Sequence, residues 1–310
     1  MGANLNTTKK GLSSWQADLM LIFVTMCWGV SYMLMDFCLG DMTPFTLNAW
    51  RFLVGGLVIV FCSPKRIVKH LNKTTIKYAI ICGLSLLGTY CGATIGVQYT
   101  TISNSGFLCA MTVVFTPILS VLFLHQKQDF KTIGAVLLSF IGIALLTLND
   151  DFSINTANLK GDLLCLSCGF FYAINLLLVE KAVSNDEVEP YTFGAAQLIV
   201  VGICNVLLSP IFSQPDKFIS PQSPKVLLAT LFLAVFCTGI AFVLQPIAQQ
   251  YTTASRVGVI FTLEPVFNVI VAFLVLREVL SIKSYIGGFL MVFAIVFMEV
   301  DFKELFRKKS

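Results

Sequence analysis

The chain has 310 residues, of which 56% are hydrophobic and only 12% are charged, with a formal net charge of +4. Soluble domains carry about 25% charged residues, so this composition excludes a soluble globular enzyme, and its hydrophobicity excludes disorder. What remains is a membrane protein that crosses the bilayer several times, and its charge gives no reason to expect a nucleic-acid partner.

Apolar runs, separated by polar residues, Gly or Pro, predict ten transmembrane helices. In chain order the predicted spans are 17–38, 45–62, 77–97, 101–124, 130–149, 160–180, 191–212, 226–248, 253–276 and 282–300. Backbone groups in lipid must form their hydrogen bonds within the segment, so runs of this length are helices. We therefore predict an all-α integral membrane protein. The ten cysteines lie within or beside these runs, which is typical of small apolar packing residues rather than of a disulfide framework.

Lys and Arg are concentrated on one side of the predicted topology. The N-terminus, the segment 65–77 and the C-terminus are basic, whereas the loops predicted on the other side carry no Lys or Arg before Lys160. Because Lys and Arg accumulate in cytoplasmic loops, we expect both termini to lie in the cytoplasm.

The two halves of the chain resemble each other. Three features recur in the same order: Asp18 and Trp28 as Asp162 and Tyr172, Pro44 and Arg51 as Pro190 and Gln197, and YTTISNSG at 99–106 as YTTASRVG at 251–258. The recurrence predicts two domains, 1–150 and 158–302, of five helices each. Because five is odd, the second copy enters the membrane from the opposite side. Inverted repeats of this kind usually enclose a central cavity and support alternating access.

Glu264 lies near the middle of the ninth predicted span, where an ionisable group costs about 3 kcal/mol and therefore normally faces a cavity or a partner. Pro265 cannot donate a backbone hydrogen bond, which frees the carbonyl of Phe261. Glu264 is thus a candidate for coupling to protons or for binding substrate. The alternative is a structural hydrogen bond to a neighbouring helix.

Arg51 is a candidate for gating or for binding an anionic group, with snorkelling to the interface or a structural ion pair to Asp36 or Asp41 as the alternatives. Arg256 begins the ninth span and is interpreted as an interfacial anchor.

Uncharged polar and aromatic side chains cluster at the middle depth of the first, third, fourth, sixth, eighth and ninth predicted helices. The candidates for the cavity wall are Trp28, Ser31, Tyr32, Tyr90, Thr94, Thr112, Tyr172, Asn175, Thr238, Gln245 and Asn268. Such a wall suits amino acids with apolar side chains or amphipathic drugs, although each residue taken singly could instead form an interhelical hydrogen bond. The fifth and tenth helices carry almost no polar residues, so we expect them on the outside, against lipid or at a homodimer contact.

The sequence contains neither a P-loop nor an H-E-x-x-H motif, and its only histidines, His70 and His125, fall in predicted loops. We therefore predict no catalytic residue, no metal ligand and no cofactor, and expect that the protein is not an enzyme. A membrane-embedded enzyme is the alternative from another functional class, but it would need several convergent acids or a metal cluster.

The Trp28-Gly29 pair, Arg51, the two Tyr-Thr-Thr-x-Ser-x-x-Gly segments, Glu264-Pro265 and Arg277-Glu278 together resemble the EamA family of the drug/metabolite transporter superfamily. The resemblance covers about residues 15–300. It implies a ten-helix transporter that exports amino acids, metabolites or drugs across a bacterial cytoplasmic (inner) membrane. The chain departs from the family at Thr112, which stands where the repeat of Glu264 would fall, and at His125-Gln126.

Our leading hypothesis from the sequence is an alternating-access secondary transporter that exports a small organic solute. The alternatives within transport are an importer, or an exchanger of phosphorylated metabolites or nucleotide sugars. The exchanger would need several Lys or Arg in the cavity, and only Arg51 qualifies.

Overall fold

The computed structural model describes residues 12–96, 99–100, 107–147, 158–212, 221, 223–276 and 281–299. Seven side chains within these ranges lie outside the description: Tyr32, Asp36, Thr147, Val269, Ala272, Leu276 and Glu299. The helices in chain order are α1 (Ser14–Leu39), α2 (Pro44–Cys62), α3 (Pro64–His70), α4 (Lys73–Gly96), α5 (Thr112–Leu124), α6 (Phe130–Thr147), α7 (Leu159–Val183), α8 (Pro190–Phe212), α9 (Pro224–Ala234), a π-helical segment (Val235–Ile240), α10 (Ala241–Gln249), α11 (Ala254–Phe261), α12 (Leu263–Leu276) and α13 (Ile282–Glu299).

Eight stretches of the described residues are long and apolar enough to cross a membrane. They are Ser14–Leu39, Pro44–Cys62, Lys73–Gly96, Phe107–Leu124, Leu159–Val183, Pro190–Phe212, Pro224–Gln249 and Ala254–Val275. These stretches coincide with eight of the ten predicted spans. The other two predicted spans fall on shorter apolar helices, Phe130–Leu146 and Ile282–Met298, so their crossing of the membrane stays a prediction.

Local sequence signals explain where several helices begin. Thr43, Ser223 and Thr253 precede α2, α9 and α11, and each side-chain oxygen accepts a hydrogen bond from the backbone N–H three residues later. Helices α2 and α9 then open with Pro44 and Pro224. A proline fits the first helical position because the missing N–H would have no partner there.

The helix that carries Glu264 is interrupted. Helix α11 ends at Phe261, α12 begins at Leu263, and the N–H of Thr262 bonds to the carbonyl of Val259 only three residues earlier. Pro265, which cannot bond to the carbonyl of Phe261, explains the break. A turn at Ala110 and Met111 interrupts the first half 152 residues earlier, where Val113 stands in place of the proline.

The closest helix packing joins the first half of the chain to the second. Helix α4 packs on α7, α2 on α8, α1 on α12 and α6 on α13. A continuous apolar core links these helices. Helices α6 and α13 expose apolar side chains such as Ile133, Leu137, Phe289 and Val296, which agrees with their predicted place on the outside. A homodimer contact on them stays a prediction.

Two clefts, of about 280 and 300 Å³, are lined mainly by apolar side chains such as Val266 and Phe289 in one and Phe115 and Leu163 in the other. Neither of these two clefts is lined by a predicted site residue. The central cavity therefore stays a prediction, as do the inverted repeats and the cytoplasmic termini.

Candidate functional site

A cluster of six aromatic rings lies where the two halves of the chain meet. Its members are Trp28, Phe52 and Tyr90 on α1, α2 and α4, and Tyr172, Phe242 and Phe261 on α7, α10 and α11. We call these six residues the aromatic cluster. The Trp28 ring centroid lies 4.8 Å from that of Phe261, 5.3 Å from that of Phe242 and 6.0 Å from that of Tyr172. The sequence predicted Trp28, Tyr90 and Tyr172 as candidates but missed the three phenylalanines.

The aromatic cluster has a buried side and a polar edge. Phe52 and Phe242 are almost fully buried, with exposed fractions of 0% and 1%, whereas Tyr90 and Tyr172 are half-buried. The Tyr172 hydroxyl donates to Gln245 Oε1 at 3.5 Å, and Gln245 Nε2 donates to Gln249 Oε1 at 3.1 Å. The cluster thus combines flat apolar faces with hydrogen-bonding groups, of which Gln245 and Gln249 are themselves buried.

The π-helical segment supplies two polar groups beside the rings. The indole N–H of Trp28 donates to the carbonyl of Cys237 at 2.9 Å, and the next residue, Thr238, is fully buried against Arg51. A π-helical turn leaves backbone groups free for such partners and is frequent at functional sites. Nothing in the sequence predicted this segment.

Arg51 lies against the aromatic cluster with an exposed fraction of 1%. Its Nε donates to Thr238 Oγ1 at 3.3 Å, its Nη1 lies 2.7 Å from Met35 Sδ, and its Cζ is 5.7 Å from the Tyr90 ring centroid. The predicted partner Asp41 is exposed and does not pair with it, while the side chain of Asp36 is outside the described residues. Arg51 is therefore buried and not snorkelling, although a charge within an apolar span costs up to about 3 kcal/mol.

Glu264 lies in the first turn of α12 and is half-buried. Tyr90 and Tyr172 both interact electrostatically with its carboxylate, and Tyr90 also interacts with Arg51. Asn268 follows one turn later and is also half-buried. The structure thus brings the two ionisable residues predicted from the sequence to the same aromatic cluster.

Several other candidates form hydrogen bonds within or between helices. Asn175 Nδ2 donates to the carbonyl of Cys82 at 2.9 Å, and Thr112 Oγ1 donates to the carbonyl of Gly169 at 3.1 Å. Ser31 and Thr94 bond to carbonyls of their own helices. The bonds of Asn175 and Thr112 support the interpretation of these two as helix-joining residues, whereas those of Ser31 and Thr94 stay within one helix. The side chain of Tyr32 lies outside the described residues.

At one end of the helix bundle, which we call the Asp18 end, charged groups join the two halves of the chain. Arg256 Nη2 on α11 donates to Asp18 Oδ2 on α1 at 2.7 Å, so Arg256 is not a simple interfacial anchor. Glu180, at the end of α7, accepts hydrogen bonds from the N–H of Ala254 at 2.6 Å and from Gln126 Nε2 at 2.9 Å. None of these pairings was predicted from the sequence.

At the opposite end, which we call the Asp162 end, the contacts of the described residues include a hydrogen bond with a neutral donor and a contact between Lys160 and the Tyr99 ring. The Thr100 hydroxyl donates to Asp162 Oδ1 in the first turn of α7. Lys160 Nζ lies 4.0 Å from the centroid of the Tyr99 ring. Asp162 is the residue that the sequence analysis matched to Asp18, and each of the two acids contacts the Tyr-Thr-Thr-x-Ser-x-x-Gly segment of the other half.

Proteins of known sequence with similar chains are transporters by name. An uncharacterized transporter of Archaeoglobus fulgidus is 28% identical over 293 residues, which cover 94% of this chain and 88% of the relative. The uncharacterized transporter YyaM of Bacillus subtilis is 22% identical over 283 residues, which cover 90% of this chain and 92% of YyaM. This chain therefore spans nearly the whole length of both.

A protein of known crystal structure superposes with a TM-score of 0.80 over 94% of this chain and 98% of its own, at 16% sequence identity, which establishes a shared fold. The profile of the EamA-like transporter family matches residues 15–148 and again residues 159–300. Together with the apolar helices, this match identifies a membrane protein with several transmembrane helices, and the chain belongs to the EamA-like transporter family.

Proposed function

We propose that this protein is an alternating-access secondary transporter that exports a small organic solute across the cytoplasmic membrane. The solute is an amino acid, a metabolite or a drug-like compound. The observation that carries the proposal is the aromatic cluster, because three of its rings come from each half of the chain. Any relative movement of the halves changes this cluster directly.

The proposed architecture is a pair of inverted five-helix repeats, 1–150 and 158–302. Three observations support it: the packing of helices across the halves, the helix breaks 152 residues apart, and the contacts of the matched acids Asp18 and Asp162. Related repeats that pack against each other can rock about a site between them, which opens it to each side in turn.

The orientation follows from the basic segment 65–77. Asn72 Nδ2 donates to the carbonyl of Glu187, which follows the end of α7, so the basic segment lies at the Asp18 end. Because Lys and Arg accumulate on the cytoplasmic side, we propose that the Asp18 end faces the cytoplasm. The Asp18–Arg256 pair then closes the cytoplasmic side of the site.

The chemistry of the site favours a solute with a flat or bulky apolar part. Trp28, Phe242 and Phe261 supply apolar faces, while Tyr172 and Gln245 supply hydrogen-bonding groups at the rim. Burial of an aromatic or branched group among such rings favours binding by the hydrophobic effect, and the polar rim orients it.

Solute flux tests the proposal. The purified protein is first screened for thermal stabilisation by amino acids, amines, nucleosides and vitamins, because a ligand of the folded state raises the melting temperature. Flux of the stabilising solutes is then measured in proteoliposomes. We expect Trp28→Leu to reduce flux about tenfold or more and Trp15→Leu, at a residue that is 60% exposed, to leave it unchanged. Equal effects of the two substitutions, or no flux of any stabilising solute, contradict the proposal.

We further propose that Glu264 couples transport to protons. A half-buried carboxylate whose charge acts on two tyrosines can take up and release a proton as the site opens to each side. Glu264→Gln is expected to flatten the pH dependence of flux, whereas Glu187→Gln, at an exposed residue between α7 and α8, is expected to preserve it. An unchanged pH profile in Glu264→Gln excludes this role.

A further inference from the structure

Arg51 carries a full positive charge, and the described groups in direct contact with it are neutral, although the Glu264 carboxylate acts on the same Tyr90. The hydroxyl of Thr238, the thioether of Met35 and the face of the Tyr90 ring surround its guanidinium. Among the side chains that the structure describes, no carboxylate pairs with it, and the described Arg ion pairs are those of Arg66 and Arg256. A buried charge in a protein is normally paired, so this guanidinium is suited to receive an anion.

Met35 occupies the position where an anionic oxygen would bind. Its Sδ lies 2.7 Å from Arg51 Nη1, although a thioether is only a weak hydrogen-bond acceptor. The side chain is half-buried, unbranched and flexible, so it can swing away without disturbing the helix. An oxygen that replaced Sδ would form a charge-assisted hydrogen bond, which is about twice as strong as a neutral one.

Thr238 adds a second group to the same place. Its Oγ1 accepts the hydrogen bond from Arg51 Nε, so its own hydroxyl hydrogen is available to an anion beside the guanidinium. Tyr90, whose ring faces the guanidinium, also contacts Phe52 and Phe242 of the aromatic cluster. An anion at Arg51 would therefore have the apolar part of the same molecule directly against the rings.

We propose that Arg51 and Thr238 form the anion subsite of the transporter, and that its solute is an organic acid. The carboxylate displaces Met35 Sδ from Arg51, and the apolar or aromatic body lies along Tyr90 and Phe242. A single guanidinium matches one carboxylate, whereas a phosphate monoester would bring up to two charges to it. This inference rests on the proposed transport function and narrows its solute to one class.

Matched pairs of acid and amide test the subsite on the purified full-length protein. The probes are 3-phenylpropanoate with 3-phenylpropanamide, and octanoate with octanamide, compared by thermal shift. We expect each acid to bind about 10- to 100-fold more tightly than its amide, because only the acid gains a charge-assisted bond. Arg51→Gln is expected to remove this preference, and Arg66→Gln, which lies outside the membrane spans, to preserve it.

Met35→Glu provides a test that keeps Arg51 in place. The new carboxylate would fill the subsite from within the chain, so we expect a higher melting temperature without ligand and no remaining preference for acids. Met35→Leu keeps the volume without an acceptor and is expected to preserve the preference. These two variants remain informative even where Arg51→Gln fails to fold.

The alternative that Asp36 neutralises Arg51 is tested by Asp36→Asn, which we expect to leave the response to acids unchanged. A response that appears only in Asp36→Asn overturns the proposal. The proposal is also overturned if acid and amide stabilise the protein equally or if no acid stabilises it. A preference for acids that persists in Met35→Glu overturns it as well. Flux of neutral or cationic solutes with no preference for acids would leave the transport function standing and refute the anion subsite alone.

Discussion

At the Asp18 end a carboxylate from α1 binds a guanidinium from α11, whereas at the Asp162 end the matched carboxylate from α7 accepts a hydrogen bond from a threonine hydroxyl. Both contacts join the first helix of one half to the Tyr-Thr-Thr-x-Ser-x-x-Gly segment of the other half. The chemistry differs, because one contact is an ion pair and the other has a neutral donor. Hydrogen bonds between two charged groups are the stronger kind where water is partly excluded.

Glu180 strengthens the Asp18 end further. Its carboxylate caps the first turn of α11 through Ala254 N–H and also binds Gln126, which follows α5. Three helices therefore meet at one acid. In the proposed alternating-access cycle both ends open in turn, and from the described contacts we predict that the state closed at the Asp18 end is the lower in free energy. Substitutions at the two ends should then have unequal effects.

The largest effect is expected from Asp18→Arg. This substitution removes the ion pair and places a second guanidinium beside Arg256, in a region where the Asp18 side chain is only 8% exposed. Breaking a buried pair from one side costs about 3 kcal/mol or more, which thermal unfolding in detergent would show as a clearly lower melting temperature. The charge-reversed double variant Asp18→Arg/Arg256→Asp should recover most of this loss. A double variant no more stable than Asp18→Arg would mean that the two residues do not act as a pair.

For Glu180→Ala we expect a smaller decrease in the free energy of unfolding, of about 2 kcal/mol. This substitution leaves the N-terminus of α11 and Gln126 without their acceptor. Glu180→Gln keeps one acceptor oxygen but loses the charge, so its melting temperature should fall between those of Glu180→Ala and the unsubstituted protein. The order is the informative result. If Glu180→Gln were as unstable as Glu180→Ala, the capping of α11 would not be the source of the stability.

Asp162→Asn compares the two ends directly. The amide oxygen can still accept the hydrogen bond from the Thr100 hydroxyl, so we expect the free energy of unfolding to fall by about 1 kcal/mol or less. Asp18→Asn, the matched substitution at the other end, should lower the free energy of unfolding by more, because it leaves Arg256 without the charge of its partner. Melting temperatures of the two variants measured side by side test the asymmetry, and a greater loss in Asp162→Asn would reverse it.

Much of the fold follows from the length and continuity of the apolar runs. The predicted spans 45–62 and 191–212 differ by one residue at most from Pro44–Cys62 and Pro190–Phe212, because proline and loop residues mark those ends. The break after Phe261 was also foreseeable from Pro265. The break at Ala110 and Met111 and the π-helical segment were not, because no proline marks either of them.

The site was predictable where its residues are unusual in lipid. Trp28, Tyr90, Tyr172, Arg51 and Thr238 stood out as polar or amphipathic groups in apolar helices, and the structure brings them together. The three phenylalanines of the aromatic cluster did not stand out, because the chain has 27 and most would suit lipid equally well. The partner of Arg256 was hidden for another reason, since Asp18 lies 238 residues away in sequence.

Substitutions at a third contact near the Asp18 end, between Arg66 and Glu189, are expected to change the free energy of unfolding least. Arg66 Nη2 lies 2.5 Å from Glu189 Oε1, and the guanidinium also lies over the Tyr191 ring, with its Cζ 4.7 Å from the centroid. Glu189 Oε2 accepts hydrogen bonds from the backbone N–H of Thr192 at 2.8 Å and from its hydroxyl at 2.7 Å. Partial burial alone would raise the pKa of Glu189, but the hydrogen bonds from Thr192 and Arg66 outweigh it and hold that pKa below its ordinary value of 4.5.

Because the folded-state pKa of Glu189 is lower than its unfolded value, the ionised carboxylate stabilises the fold fully above the unfolded value, and this stabilisation is lost as the pH falls through the folded value. The melting temperatures of the unsubstituted protein and Glu189→Gln should therefore differ by a constant small amount near neutral pH and converge below a pH of about 4.5. Arg66→Gln leaves the two Thr192 bonds in place, so it should weaken this pH dependence without abolishing it. A gap between the two proteins that widens on acidification would show that Glu189 is held in its protonated form, and would assign the contact to neutral hydrogen bonds rather than to the charge of Arg66.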